Sequence, residues 1–230
     1  VFTQSEMDAV FREIDDSLPD YTPDDGHSWW ARTAKGEHRA VRLDSFDEHS
    51  PTTHRIIRDG RLDVIRDLFD DGHQSGDREI RGNVIEALIK PVGVVEGISD
   101  VPWHKDCSLG RHSYRCCAMT VGISVTGADA TCGQLRVVAG SHRALIQPAF
   151  VRKQLDLPQI DLPTETGDVT VHLSCTMHMS EPPVDSERRV MYTGFGLPDP
   201  NHDSRIGDAK LRAIRNRAHT TVSQEPGYIS

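Results

Sequence analysis

His104 and Asp106 stand two residues apart in the run Val101-Pro102-Trp103-His104-Lys105-Asp106. In an extended chain alternate side chains leave the same face, so an imidazole and a carboxylate at this spacing can aim at one point. That pair is two-thirds of a 2-His-1-carboxylate metal site, the donor set that leaves about three of six positions on Fe(II) open to a cosubstrate and O2. Alone, such a triplet says little, because a surface strand end carries it equally well. A third ligand is offered downstream. Gly167-Asp168 reads as a turn feeding a strand that ends in His178, followed by Ser180. Ten residues after His178, the pair Arg188-Arg189 opens a further strand-like run. A buried arginine there presents a planar fork to a carboxylate. His172 lies six residues before His178, an even spacing, so it too can face the site, as a ligand or as a core or supporting histidine.

The elements that must carry these groups are short. Residues 83–90, 118–126, 133–140, 167–174 and 188–195 are β-branched or alternating and end at Gly, Pro, Asp or Ser, the pattern of strands in an all-β sandwich or barrel. Before them, residues 3–18 read as a helix with Ser5 as a cap and Met7, Val10, Phe11 and Ile14 on one face. Residues 19–35, rich in Pro, Asp, Gly and Trp, read as loop, residues 51–70 as a second helix, and residues 70–77 as a turn. Residues 206–218 read as a basic amphipathic helix. The predicted architecture is mainly β with flanking α-helices in one domain. Residues 1–80 form a helical and loop part packed on the core, residues 81–198 the β core, and residues 199–230 a C-terminal helix and tail.

The bulk composition fits a soluble protein: 230 residues, 37% hydrophobic and 27% charged. A formal charge of −9 argues against a nucleic-acid surface, and no stretch reaches the roughly 20 apolar residues of a membrane helix. The five cysteines form no C-x-x-C pair, and no signal-peptide pattern is legible, so a reducing, cytoplasmic setting is expected. Cys132 reads as a small packed residue. His49, His54 and His73 read as solvated. Trp29-Trp30 reads as loop packing or a substrate entrance, and Gly122 as a position that widens the pocket.

Four ordered pieces together resemble the phytanoyl-CoA dioxygenase family of Fe(II)/2-oxoglutarate oxygenases, over about residues 84–195. They are Ala87-Leu88-Ile89-Lys90-Pro91; Pro102-Trp103-His104-Lys105-Asp106; Cys132-Gly133-Gln134-Leu135 leading to Gly140-Ser141-His142; and Gly167-Asp168 with His178, Ser180 and Arg188. Cys132 stands where the family usually has asparagine. The resemblance implies a double-stranded β-helix, a jelly-roll barrel. It implies His104, Asp106 and His178 as catalytic iron ligands, and Arg188, helped by the Ser180 hydroxyl, as the partner of the 2-oxoglutarate distal carboxylate. The family's spacing from the second histidine points instead to Arg189, while the strand alignment points to Arg188 and leaves Arg189 outward and solvated. The cofactors implied are Fe(II), 2-oxoglutarate and O2. The expected substrate is a small molecule, with hydroxylation or a related oxidation or cyclisation as the outcome and secondary-metabolite biosynthesis as the setting. A catalytically silent barrel, or a cupin-like metal enzyme without 2-oxoglutarate, is the other reading.

Overall fold

The computed structural model describes residues 1–75, 85–97, 101–106, 116, 118–143 and 157–197. The predicted C-terminal helix, the segments 107–115 and 144–156, and Cys107 and Cys117 lie outside them. Among the described residues there are two antiparallel sheets with few helices, the expected jelly-roll class.

The five predicted strand runs hold β4 (Glu86–Lys90), β7 (Ala118–Ser124), β8 (Leu135–Val138), β10 (Val169–Leu173) and β12 (Arg188–Gly196). The rest of the β structure is β1 (Ser28–Thr33), β2 (His38–Leu43), β3 (Gln74–Ser75), β5 (Val94–Glu96), β6 (Val101–His104), β9 (Gln159–Leu162) and β11 (His178–Ser180). The large sheet runs β10-β7-β12-β4-β2-β1-β5, with β3 also pairing with β12; the small sheet runs β6-β11-β8-β9.

Three expectations change in the N-terminal part. The stretch read as loop holds β1, which pairs with β2 and extends the large sheet through the β2–β4 ladder. Residues 51–70 form two helices, α2 (Pro51–Ile56) and α3 (Gly60–Asp67). The break follows from local chemistry, because Asp59 turns outward to accept the Arg61 N–H and caps α3. Helix α1 (Gln4–Ser17) is capped by Thr3 rather than Ser5: the Thr3 hydroxyl accepts from the Glu6 N–H, and the Glu6 carboxylate accepts from the Thr3 N–H.

Strand alternation sorts the large sheet into two faces. Ala87, Ile89, Met119, Val121, Ile123, Met191 and Phe195 face outward and are buried beneath Met7, Val10 and Ile14 of α1, forming the main core. The intervening residues, Lys90, Thr120, Thr170, His172, Arg188 and Tyr192 among them, face the small sheet. A second core of Trp103, Val138, Met177 and Met179 backs the small sheet, which turns His104, His178 and Ser180 toward the large one. The fold thus places two apolar layers outside and a polar seam between the sheets.

Glu6 also pairs with Arg61, which binds Asp59 in turn. The Arg61 hydrogen bonds hold both carboxyls down to about 2. A depressed carboxylate contributes stability above its ordinary value of 4.5, and that contribution is lost as pH falls through about 2. Glutamine keeps the capping geometry and removes the charge. Glu6→Gln is therefore expected to be less stable than the parent at pH 6, with the gap closing between about pH 4.5 and 2 in urea midpoints. A gap that does not change with pH would contradict the ion-pair account. The effect is modest, because about a third of each side chain stays in water.

Candidate metal centre

His104 and His178 face each other directly across the β6–β11 ladder, with ring centroids 4.1 Å apart. Strand β6 ends at His104, and Asp106 lies just past it. The alternation that pairs the two side chains therefore holds one residue beyond the ladder. Both imidazoles present Nε2 to the same carboxylate oxygen. Asp106 Oδ1 is 3.3 Å from His104 and 3.6 Å from His178. Donor atoms of the three residues lie within 4.8 Å of one another, close enough to hold a metal ion.

The protonation states suit that use. The Thr176 carbonyl sits 2.9 Å from His178 Nδ1. A carbonyl only accepts, so Nδ1 carries the proton and Nε2 keeps its lone pair. Burial, and then the neighbouring His104 imidazole, push His178 down to about 3, against the opposing pull of Asp106. Burial alone would raise Asp106, but the imidazoles of His178, His104 and His172 around it hold its carboxyl well below the ordinary carboxylate range. The set is then a neutral imidazole at His178 and an anionic carboxylate, the forms that ligate a divalent cation.

His178 does not end the strand that Gly167-Asp168 begins. Strand β10 stops at Leu173, a turn follows, and His178 opens β11 in the other sheet. His172 nonetheless reaches the site from the large sheet: its ring lies 4.4 Å from that of His178, and its Nε2 is 3.6 Å from Asp106 Oδ2. That same Oδ2 accepts a hydrogen bond from the Thr120 hydroxyl at 2.7 Å.

The two arginines separate by strand parity. Arg188 faces the seam, directly opposite Lys90 across the β12–β4 ladder. It is buried and donates from Nη1 to the Gly133 carbonyl at 2.8 Å, while its Nε is buried with no hydrogen-bond partner among the described residues. Arg189 faces the other way but is not solvated as expected. It lies buried under α1, paired with Asp15 and Glu187, with its guanidinium 3.9 Å from the Phe11 ring. The sequence offers no sign of that cover, because α1 is far away in the chain.

Lys90 is the functional candidate that sequence reading passed over, having noted it only as part of a motif. It is 2% exposed, and its Nζ donates to Ser180 Oγ at 2.8 Å and to the Glu181 carbonyl at 2.6 Å. Its isolation in the apolar run 87–89 was the available signal, since a lysine is seldom buried unless paired. Gly133 makes this corner possible. It has φ +74°, and a Cβ there would sit 2.2 Å from the Glu181 carbonyl oxygen and 3.3 Å from Lys90 Nζ.

Four smaller expectations resolve. Cys132 is buried, and its sulfur receives the Asp129 N–H, so it closes the turn that asparagine otherwise serves. His73 is buried against Asp71 rather than solvated. Trp29 lies beneath the Arg42 guanidinium, whereas Trp30 packs on the main core, so the pair splits across β1. Gly122 does not widen the pocket, because Tyr192 and Thr170 fill the space: a Cβ there would meet them at 3.1 and 2.8 Å.

The family model described as phytanoyl-CoA dioxygenase (PhyH) matches residues 1–191. No curated protein matches the chain in sequence. Among solved structures, AviO1 from Streptomyces viridochromogenes Tue57 is 18% identical with a TM-score of 0.64, covering 87% of each chain. EctD from S. alaskensis, solved with 2-oxoglutarate and 5-hydroxyectoine, is 19% identical with a TM-score of 0.62, covering 86% of this chain and 70% of its own. The epimerase SnoN, solved with Fe3+, alpha ketoglutarate and nogalamycin RO, is 17% identical with a TM-score of 0.61, covering 85% of this chain and 76% of its own. At these identities the likeness is one of fold, while the family match spans most of the sequence. The chain belongs to the phytanoyl-CoA dioxygenase family, the non-haem iron and 2-oxoglutarate-dependent oxygenases that its motifs resemble.

Proposed function

We propose that His104, Asp106 and His178 hold the Fe(II), that Arg188, Ser180 and Lys90 receive the distal carboxylate of 2-oxoglutarate, and that the chain oxidises a polar small molecule of secondary metabolism. The observation that carries the metal assignment is the convergence of two Nε2 atoms on one Asp106 oxygen. The cosubstrate assignment is supported by two buried cations directly opposite each other on one inner face. Like charges at that separation repel, and a carboxylate between them relieves the repulsion. Its oxygens also give the Arg188 Nε a partner it otherwise lacks. Fe(II) held by these three residues would supply O2-dependent oxidation of a substrate C–H bond, coupled to decarboxylation of 2-oxoglutarate to succinate. The chain's own part is to orient both molecules and keep the site enclosed.

The wall beside the metal centre argues for the substrate class. Thr170 and Tyr192 lie one pleat from His172 and Thr120 on the same face, and Glu86 stands opposite Tyr192, paired with Arg42. Hydroxyl, phenol and charged groups there favour a hydroxylated or glycosidic compound over a long acyl chain. Solved neighbours named for nogalamycin biosynthesis support the same setting. The protein is expected to release succinate with hydroxylated polycyclic or sugar-derived compounds, giving a product changed by one oxygen atom or by loss of two hydrogens. Acyl-CoA thioesters are expected to give no product above background. Efficient turnover of the thioesters and none of the hydroxylated compounds would overturn the substrate reading.

A further inference from the structure

The two oxygens of Asp106 have different surroundings. Oδ1 faces both ligating Nε2 atoms. Oδ2 accepts from Thr120 Oγ1 at 2.7 Å, with His172 Nε2 at 3.6 Å. A carboxylate oxygen has room for two donors, and Thr120 fills one place. His172 is the natural second. Its side chain is only 7% exposed, it comes from the large sheet, and both its ring nitrogens are buried with no hydrogen-bond partner among the described residues. A buried imidazole left unpaired is costly, and one kept beside a metal centre points to a bond completed when the site is loaded. The present 3.6 Å is about half an ångström beyond hydrogen-bond range, a gap that a small swing of the ring closes. The compact donor cluster comprises His104, Asp106 and His178 without His172, so His172 stands behind the ligands rather than among them.

Resting on the metal reading above, we infer that His172 is a positioning residue that, with Thr120, holds Oδ2 of Asp106 off the metal. Asp106 then ligates through Oδ1 alone. The consequence lies in the coordination number. A chelating cosubstrate needs two metal positions and O2 needs one, which is all that three single-atom protein ligands leave on a six-coordinate ion. A carboxylate free to rotate and bind through both oxygens takes one of those three.

The test uses Co(II) under anaerobic conditions, with affinity from chelator competition and coordination number from the visible spectrum. His172→Phe fills the same volume without a nitrogen, His172→Gln restores an N–H at similar reach, and Thr120→Val removes the other donor. His172→Phe and Thr120→Val are each expected to weaken Co(II) binding by about 10–100-fold, the usual cost of a lost supporting partner. Their spectra should shift toward a changed coordination number, and His172→Gln should return both readouts close to the parent. Parent-like affinity and spectrum in His172→Phe overturn the inference; should that variant not fold, the same result in Thr120→Val does so. A loss in His172→Phe as large as in His104→Ala, unrestored by His172→Gln, makes His172 a direct ligand and also overturns it. Equal Co(II) binding by the parent and His104→Ala contradicts the metal reading itself, a different failure from either of these.

Discussion

Arg188→Ala is expected to weaken 2-oxoglutarate binding by on the order of 10²–10³-fold while leaving metal affinity close to that of the parent. Truncating one partner of a buried charged pair typically costs about 2–5 kcal/mol, and each 1.4 kcal/mol is tenfold. The middle of that range applies because Arg188 is buried, where water replaces a lost guanidinium poorly. Arg188→Lys should recover little. The guanidinium fork gives one arm to the Gly133 carbonyl and would offer the rest to a carboxylate, a division that an ammonium point charge does not reproduce. Arg189→Ala should do the reverse. It removes ion pairs to Asp15 and Glu187 and the stacking on Phe11, so it should lower stability by about 1–3 kcal/mol. Cosubstrate affinity should stay unchanged. Calorimetric titration of 2-oxoglutarate into Ni(II)-loaded variants, beside urea unfolding, separates the two. Cosubstrate loss in Arg189→Ala with normal binding in Arg188→Ala would contradict the assignment.

His178→Ala should remove metal binding at micromolar protein and with it all turnover, a larger loss than the about 10–100-fold expected for a supporting residue. The fold should survive. His178 contributes Nε2 to the seam, while its neighbours Met177 and Met179 carry the packing of the small sheet. Asp106→Gly should likewise lose hydroxylation, because the anionic ligand goes and the Thr120 hydroxyl loses its acceptor. Metal content by elemental analysis after anaerobic loading and desalting is the readout for His178→Ala, and formation of oxidised product is the readout for Asp106→Gly. Stoichiometric iron in His178→Ala would place the metal elsewhere.

Much of this site was legible because local alternation produces it. His104 and Asp106 share a face by spacing alone, and the five runs that alternate most regularly all hold strands. What stayed hidden depends on partners distant in sequence. Lys90 meets Ser180 across two sheets, so nothing near it announces a functional lysine. Arg189 reads as a surface residue until α1 covers it. Strand β1 sits in a segment dense in turn residues and carries two tryptophans that part to opposite faces, so its composition reads as loop. His172 is the instructive case. Even spacing from His178 predicted a shared site, and the two do share it, but from separate strands in opposing sheets. Gly122 shows the converse, since a missing side chain reads as empty space until Tyr192 and Thr170 occupy it.

This seam is proposed to bind iron and 2-oxoglutarate together. Anaerobic titration of 2-oxoglutarate into the Fe(II)-loaded protein tests it most directly, because chelation of the keto acid to Fe(II) gives a visible charge-transfer band. A saturable band in the parent, weakened in Arg188→Ala and absent in His178→Ala, is the predicted result. A folded, iron-loaded parent that gives no band at any cosubstrate concentration would contradict the claim and leave a metal-binding barrel that does not use 2-oxoglutarate.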